Sequence, residues 1–441
     1  MEEFLTRRHK LAAQMQNSSI ALLPSAKTQY RNSHTEYPFR QNSDFFYLTG
    51  FAEPNAVMAL SKDAKGKVSF IMFNQANDPV EEVWLGKRAG EDGARQIYQA
   101  DDAYDIADID NVLPNLFADK KVIYYPMAVD QGFDERIMSW LKTAKQNFNN
   151  KNYREMHDVT FIPDTVTDLL PFIHELRLIK SASEIEHMRT AAEISAEAHA
   201  KLMQNCQPGQ NEYQLEAIFN EYCLQRGCRG FAYNAIVAGG NNACTLHYTA
   251  NDQVLKAGDL LLVDAGGEYN YYASDITRTY PISGKFTPEQ KQIYELVLKA
   301  QLAGIEQIKP GHTFDMVQTA MVEIIVAGLL ALDILHGEVK QLIADDAYKQ
   351  FYMHSSGHWL GLDVHDVGQY KVEGRWRKFE PGMVLTVEPG IYIADTNTDV
   401  DPKWLGIGVR IEDDILVTKG GHEVLSNKAP KSVAEVERAA I

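Results

Sequence analysis

The stretch LLVDAGGEYNYYASDITRTYP, residues 261 to 281, puts ionisable groups where apolar ones are expected. Asp264 closes a leucine–valine run. Asp275 follows eleven residues on, past a turn rich in Gly and Tyr, in a second stretch that reads as strand. A carboxylate inside an apolar strand must be paired, protonated or bound to a cation. The same problem recurs at Glu388 in VLTVEPG and at Glu412 in GVRIEDD. Arg278 and Arg410 are the only bases in those strands, so the residual negative charge calls for metal. A turn centred on Tyr269–Asn270 would set Asp264 directly across from Asp275, with Cβ atoms about 4.5–5.5 Å apart. Two carboxylates so placed repel unless a cation sits between them.

The chain has 441 residues, too many for one ordinary core, which predicts two domains. Residues 1–172 alternate strand-like runs with helical ones. SSIALLPS, DFFYLTGF, NAVMALSK, VSFIMFN and KKVIYYPM read as strands, and EDGARQIYQA and DERIMSWLKTAKQNF as helices, giving an α/β domain. The Asn-rich polar stretch 145–158 reads as an exposed connection. Residues 173–441 mix hairpin-like strands with helices and lack strict βαβ alternation, which predicts an α+β domain with a largely antiparallel sheet. Its entry helix can be capped by Ser181 or Ser183, and Thr287 before Pro288 marks another helix start.

A net charge of −17, from 43 basic against 60 acidic side chains, argues against a nucleic-acid binder. The N-terminus, MEEFLTRRHKLAAQMQ, has no apolar core of the signal-peptide kind. The apolar run Ile324–Leu332 is too short to span a bilayer, so no membrane association is expected. Four cysteines in so long a chain form no disulfide framework. These features together predict a cytoplasmic protein.

FYMHSSGHWLGLDVHDVG supplies His354, His358 and His365, and its glycines rule out the helical HExxH pattern of zinc proteases. His247, in ACTLHYTA, is a further candidate. A ligand set rich in carboxylate oxygen with one imidazole is hard. It suits Mn²⁺, tolerates Co²⁺, Fe²⁺ or Zn²⁺ and excludes Cu⁺. That composition predicts metal-assisted hydrolysis.

The ordered set Asp264, Asp275, His358, Glu388 and Glu412 resembles the metal constellation of the pita-bread metallopeptidases, the family of methionine aminopeptidase, prolidase and aminopeptidase P. HSSGHWLGLDVHD, EPGIYI and GVRIEDD, with YPFRQNSDFFYLTGF near the N-terminus, look most like its aminopeptidase P branch. The resemblance implies a curved pita-bread sheet in the second domain and two divalent ions per chain, Mn²⁺ foremost. Asp264 would chelate one ion, Asp275 and Glu412 would bridge the pair, and His358 and Glu388 would complete the other shell. A bridging hydroxide would attack the carbonyl of a Xaa-Pro bond, with Glu388 handling the proton. The substrates would be peptides with proline at the second position. His247 and His365 would contact the substrate and the tetrahedral intermediate, and His354 would line the proline-side pocket. Arg410 and Tyr392 would orient the carboxylates. Trp84, in EEVWLGKR, matches the segment with which the amino domain and a neighbouring subunit narrow the family's site, which implies a homodimer or homotetramer. Within the same family, a prolidase restricted to dipeptides is the rival reading, and a metal-free relative such as creatinase a more distant one.

Overall fold

A computed structural model of the chain describes residues 1–440. The chain divides into two compact units, Met1–Arg177 and Leu178–Ile441.

The first unit is built on a six-stranded mixed sheet. Its spatial order is Asp102–Asp105, Val68–Asn74, Val57–Lys62, Ser19–Pro24, Val122–Tyr125 and Thr165–Asp168. Ser19–Pro24 runs antiparallel to Val57–Lys62 and parallel to Val122–Tyr125. Ile20, Leu22, Phe73 and Ile123 of this sheet are buried together with Ile137 and Trp140 of the helix Gln131–Asn149.

Two expectations fail in this unit. DFFYLTGF is not a strand: Ser43–Thr49 is helical. Asn42 caps it by accepting the Phe45 N–H at 2.9 Å, and Gly50 ends it at φ +66°. Phe45, Tyr47 and Leu48 are all buried. A short run buried on every side has no periodicity, so its end residues decide its type. The polar stretch 145–158 is helical as well. It finishes Gln131–Asn149 and forms Lys151–His157, which Asn150 caps and no apolar face anchors.

Among the described residues, the second unit contains only antiparallel ladders. Leu260–Asp264 lies between Ile236–Gly239 and Thr277–Pro281, and Asp413–Thr418 lies between Val384–Val387 and Gly421–Val424. Gly390–Ile393 pairs with Ile407–Arg410. The helices Ala182–Asn205, Pro288–Ile305 and Phe314–Ala331 bury one face each in a core shared with these strands. Ser181, not Ser183, caps the first of them, in a reciprocal pair with Glu184. Phe314–Ala331 begins well before the apolar run noted above. With a mean hydropathy of 1.6 it is long and apolar enough to cross a membrane by length and composition alone. Its Val317, Met321, Ile325, Val326 and Leu329 are buried in the core of the unit.

The opening hairpin has a different register from the one expected. Its turn centres on Asn270–Tyr271, both left-handed at φ +49° and +72°, the backbone of a two-residue hairpin turn. Asp264 therefore faces Thr277, and Tyr269 faces Tyr272. The Ala265 N–H bonds the Ile276 carbonyl and the Ser274 N–H bonds the Gly267 carbonyl, so the same register sets Gly266 across from Asp275. Asp275 lies in the break between the strands Tyr272–Ala273 and Thr277–Pro281. Glu388 and Glu412 likewise fall between strands rather than inside them.

Thr287 accepts the Gln290 N–H while Gln290 accepts the Thr287 N–H, closing a capping box on Pro288–Ile305. Thr287→Ala should lower the stability of the protein by about 1 kcal/mol, read as a lower urea midpoint. An unchanged midpoint would contradict this account of the helix start.

Candidate active site

The breaks in the strands direct acids into one place. A cavity of about 1350 Å³ in the second unit is lined by Asp264, Asp275, His358, Glu388 and Glu412, and also by His247, His354, His365 and Arg410. Tyr392 stands behind it, its hydroxyl 2.8 Å from His354 Nε2 and accepting from Arg410 Nη1 at 3.0 Å. Trp84 belongs to the first unit, where it is 84% exposed on the helix Pro79–Leu85.

Each acid is held by neighbours that leave part of it free. Arg410 Nη2 donates to Asp264 Oδ2 at 2.6 Å, and the Tyr233 hydroxyl donates to Asp264 Oδ1 at 2.6 Å. Thr277 donates to Glu412 Oε2 at 2.6 Å and itself accepts from Arg410 Nε. The Thr386 hydroxyl accepts the His358 N–H and donates to Glu388 Oε1, tying those two residues together. Asp414 accepts the Asp275 N–H. His358 Nδ1 lies 3.0 Å from the Trp359 carbonyl, which leaves Nε2 turned toward Asp275 Oδ2 at 3.3 Å and Glu388 Oε1 at 3.5 Å. The His358 and His365 rings meet edge to face at 4.2 Å.

Burial and crowding perturb these groups strongly. Burial pushes Glu388 up to about 7; His358 opposes the rise and Asp275 adds to it. Glu412 is pushed well above the usual carboxylate range by burial and then by Asp275, Glu388 and Asp264. Asp264 is raised by burial even against Arg410. Burial would lower His358, but its hydrogen bond to Asp275 and the charges of Glu388 and Asp275 outweigh that and lift it to about 9. The same bond from His358 holds Asp275 down against its burial. His354 drops to about 4 through burial and the nearby Arg410.

A cation fits this arrangement. Asp275, His358 and Glu412 each offer one ligand atom, all within 4.8 Å of one another. Asp275 Oδ1 is buried and lacks a hydrogen-bond partner, as an oxygen kept for a metal would. The donor set, carboxylate oxygens with one imidazole, is the hard one that divalent ions prefer.

Several working residues carried no sequence signal. Tyr233 follows an ordinary glycine-containing loop, and Thr277 and Thr386 are unexceptional strand residues. Asp414, the last acid of the EDD run, is joined to Asp275 by no spacing rule. Arg278 was expected among the partners of the site acids, but its guanidinium pairs with Asp413 instead.

The fold and the site define a metallopeptidase of the pita-bread kind. Residues 186–419 match the model of metallopeptidase family M24 and residues 4–124 that of the aminopeptidase P N-terminal domain, and the chain belongs to family M24. It is 44% identical over 438 residues to Xaa-Pro aminopeptidase of Haemophilus influenzae, covering 99% of this chain and 96% of that one. The solved Pseudomonas aeruginosa aminopeptidase PepP superposes with a TM-score of 0.95 at 50% identity, covering 100% of this chain and 97% of its own. Zinc-substituted Escherichia coli aminopeptidase P in complex with product also superposes at 0.95, at 42% identity and with 100% and 98% coverage.

The raised groups set a pH dependence for the metal-free protein. His358, lifted from 6.5 to about 9, stabilises the fold fully below about pH 6.5, and that contribution disappears as the pH rises through 9. Glu388, raised from 4.5 to about 7, favours its protonated form in the fold, so its contribution fades as the pH climbs from 4.5 through 7. The lowered His354 works the other way only below about pH 6.5, so the urea midpoint of metal-free protein should fall from pH 7 to pH 9, and divalent ion should raise it most at the alkaline end. A level or rising midpoint in metal-free protein would contradict these assignments.

Proposed function

We propose that the protein is a Xaa-Pro aminopeptidase, removing the first residue from peptides with proline at the second position. The observation that carries this reading is the convergence of Asp264, Asp275, His358, Glu388 and Glu412 on one cavity with His247, His354 and His365 around them. Two divalent ions are the resident cofactor in this reading, Mn²⁺ foremost. Asp264 would hold one, His358 and Glu388 would hold the other, and Asp275 and Glu412 would be shared between them. When bound, such ions polarise a carbonyl and make water acidic enough to attack near neutral pH.

The chain's own groups supply the rest. A proline nitrogen in a peptide bond has no N–H and must gain a proton to leave. Glu388, buried in the cavity beside His354 and His358, is placed to take a proton from the attacking water and pass it to that nitrogen. His354 stays neutral beside it, 3.6 Å from Glu388 Oε2, and its bond to Tyr392 fixes its ring toward the leaving side. Burial lowers His365, which lines the cavity with His247, and both can hydrogen-bond the carbonyl oxygen as it becomes tetrahedral. Arg410, fully engaged with Asp264, Tyr392 and Thr277, orients the site and is not free to hold a substrate carboxylate. A cavity of about 1350 Å³ is larger than the roughly 300–1,000 Å³ of ordinary small-molecule sites, which suits peptides rather than the dipeptides of a prolidase.

The first unit, with Trp84 as its contact residue, serves oligomerisation and restriction of the site in this reading, as a homodimer or homotetramer. The exposed apolar row Val80, Val83, Trp84 and Leu85 supports that role. Four free thiols suit a cytoplasmic compartment.

With Mn²⁺ present, Xaa-Pro-Xaa peptides should lose their first residue while Xaa-Ala-Xaa peptides remain intact. Cleavage confined to Xaa-Pro dipeptides would overturn the reading in favour of a prolidase. Glu388→Gln should reduce kcat by at least about 10²–10⁴-fold in steady-state assays. A rate near that of the unmodified enzyme would remove Glu388 as the proton carrier.

A further inference from the structure

Glu412 is fixed by its backbone as well as by its side chain. Its N–H donates to the Thr277 carbonyl at 3.1 Å, its carbonyl accepts from Arg278 Nη1 at 2.6 Å, and its carboxylate accepts from the Thr277 hydroxyl. Arg278 is completely buried and spends all five N–H donors on fixed partners. Nη1 reaches the Thr277 and Glu412 carbonyls, and Nη2 reaches Asp413 Oδ1 at 2.7 Å. Nη2 and Nε also hold the Ala429 and Pro430 carbonyls, at 3.1 and 3.0 Å.

The other half of the lock is Asp413, also fully buried. Its Oδ1 accepts from Ser426, and its Oδ2 accepts from Gln301 Nε2 at 2.7 Å and Lys431 Nζ at 2.6 Å. Ser426 in turn accepts the Asp414 N–H, the residue whose carboxylate holds the Asp275 backbone. The Lys431 carbonyl is anchored by Tyr294, and Ser432 caps the helix Val433–Ala439 that follows. One short C-terminal segment thus grips the backbone under Glu412 and, through Asp414, the backbone of Asp275.

We propose that Ser426–Lys431 is a strap whose contacts with Arg278 and Asp413 position Glu412, and through Asp414 Asp275, for binding divalent metal. The proposal rests on the reading of Glu412 as a metal ligand. Ser426 and Lys431 are positioning residues, since neither lines the cavity. A guanidinium or carboxylate held in low dielectric cannot shift without losing several bonds together, so the strap transmits rigidity to the ligands. Groups that orient metal ligands from behind commonly change metal affinity about 10–100-fold when removed.

The test uses the full chain stripped of metal and titrated calorimetrically with MnCl₂, with thermal unfolding of the metal-free form alongside. Arg278→Ala risks misfolding, so the informative variants are Lys431→Met and Ser426→Ala, with Lys431→Arg as the conservative rescue. Both should weaken Mn²⁺ binding about 10–100-fold and lower kcat with KM unchanged, and Lys431→Arg should restore the affinity. Wild-type Mn²⁺ affinity in both variants would overturn the strap, even if the metal-free Tm fell, because that pattern belongs to a structural tie. Glu412→Gln separates the two claims. If it loses affinity while the strap variants keep theirs, the strap alone fails. If the unmodified protein binds no Mn²⁺, the metal reading fails and takes the strap with it.

Discussion

The repulsion among buried carboxylates governs the second unit. Asp264, Asp275 and Glu412 are each no more than 9% exposed, as is Asp414 outside their cavity, and Glu388 lines the cavity with the first three. At effective dielectrics near 20, unit charges 4 Å apart interact by about 4 kcal/mol, so several such pairs would expel one another if all were ionised and unpartnered. Arg410 and a protonated His358 relieve part of this charge, and the remainder appears as carboxyls pushed upward. Divalent cations remove the conflict at its source. In the proposed reading, the protein's own task is to hold these acids close together for the cations.

It does so by interrupting its sheet. Asp275, Glu388 and Glu412 each sit where one strand has ended and the next has not begun. A regular ladder would commit their backbone groups and alternate their side chains between faces. In the breaks, other groups take over the backbone: Asp414 for Asp275, Ser356 for Glu388, Thr277 and Arg278 for Glu412. Glycine allows the close approaches this requires. A Cβ on Gly357, next to His358, would lie 2.0 Å from the Thr386 carbonyl oxygen.

Much of this was legible in the sequence because charge inside an apolar run is conspicuous. The acids, the histidine-rich loop and the helix starts at Ser181 or Ser183 and at Thr287 all break a local pattern, and the structure selects Ser181. What could not be read depended on geometry. The hairpin turn falls one residue later than expected, at Asn270–Tyr271, and that shift replaces a direct Asp264–Asp275 pair with Asp264 opposite Thr277. The two aspartates line one cavity through a break in the ladder, not across it. DFFYLTGF has strand-like composition, but Asn42 and Gly50 make it a helix. Tyr233 and the Arg278–Asp413 lock are assembled from residues far apart in the chain, which no spacing rule connects.

In the proposed reading Asp264, Asp275, Glu388, Glu412 and His358 form a cage for two divalent ions. Anomalous scattering from crystals of the protein grown with Mn²⁺ tests it most directly. The account predicts two peaks in the second unit, both touching Asp275 and Glu412, one also at Asp264 and the other at His358 and Glu388. A single peak, or ions bound away from these five residues, would contradict it.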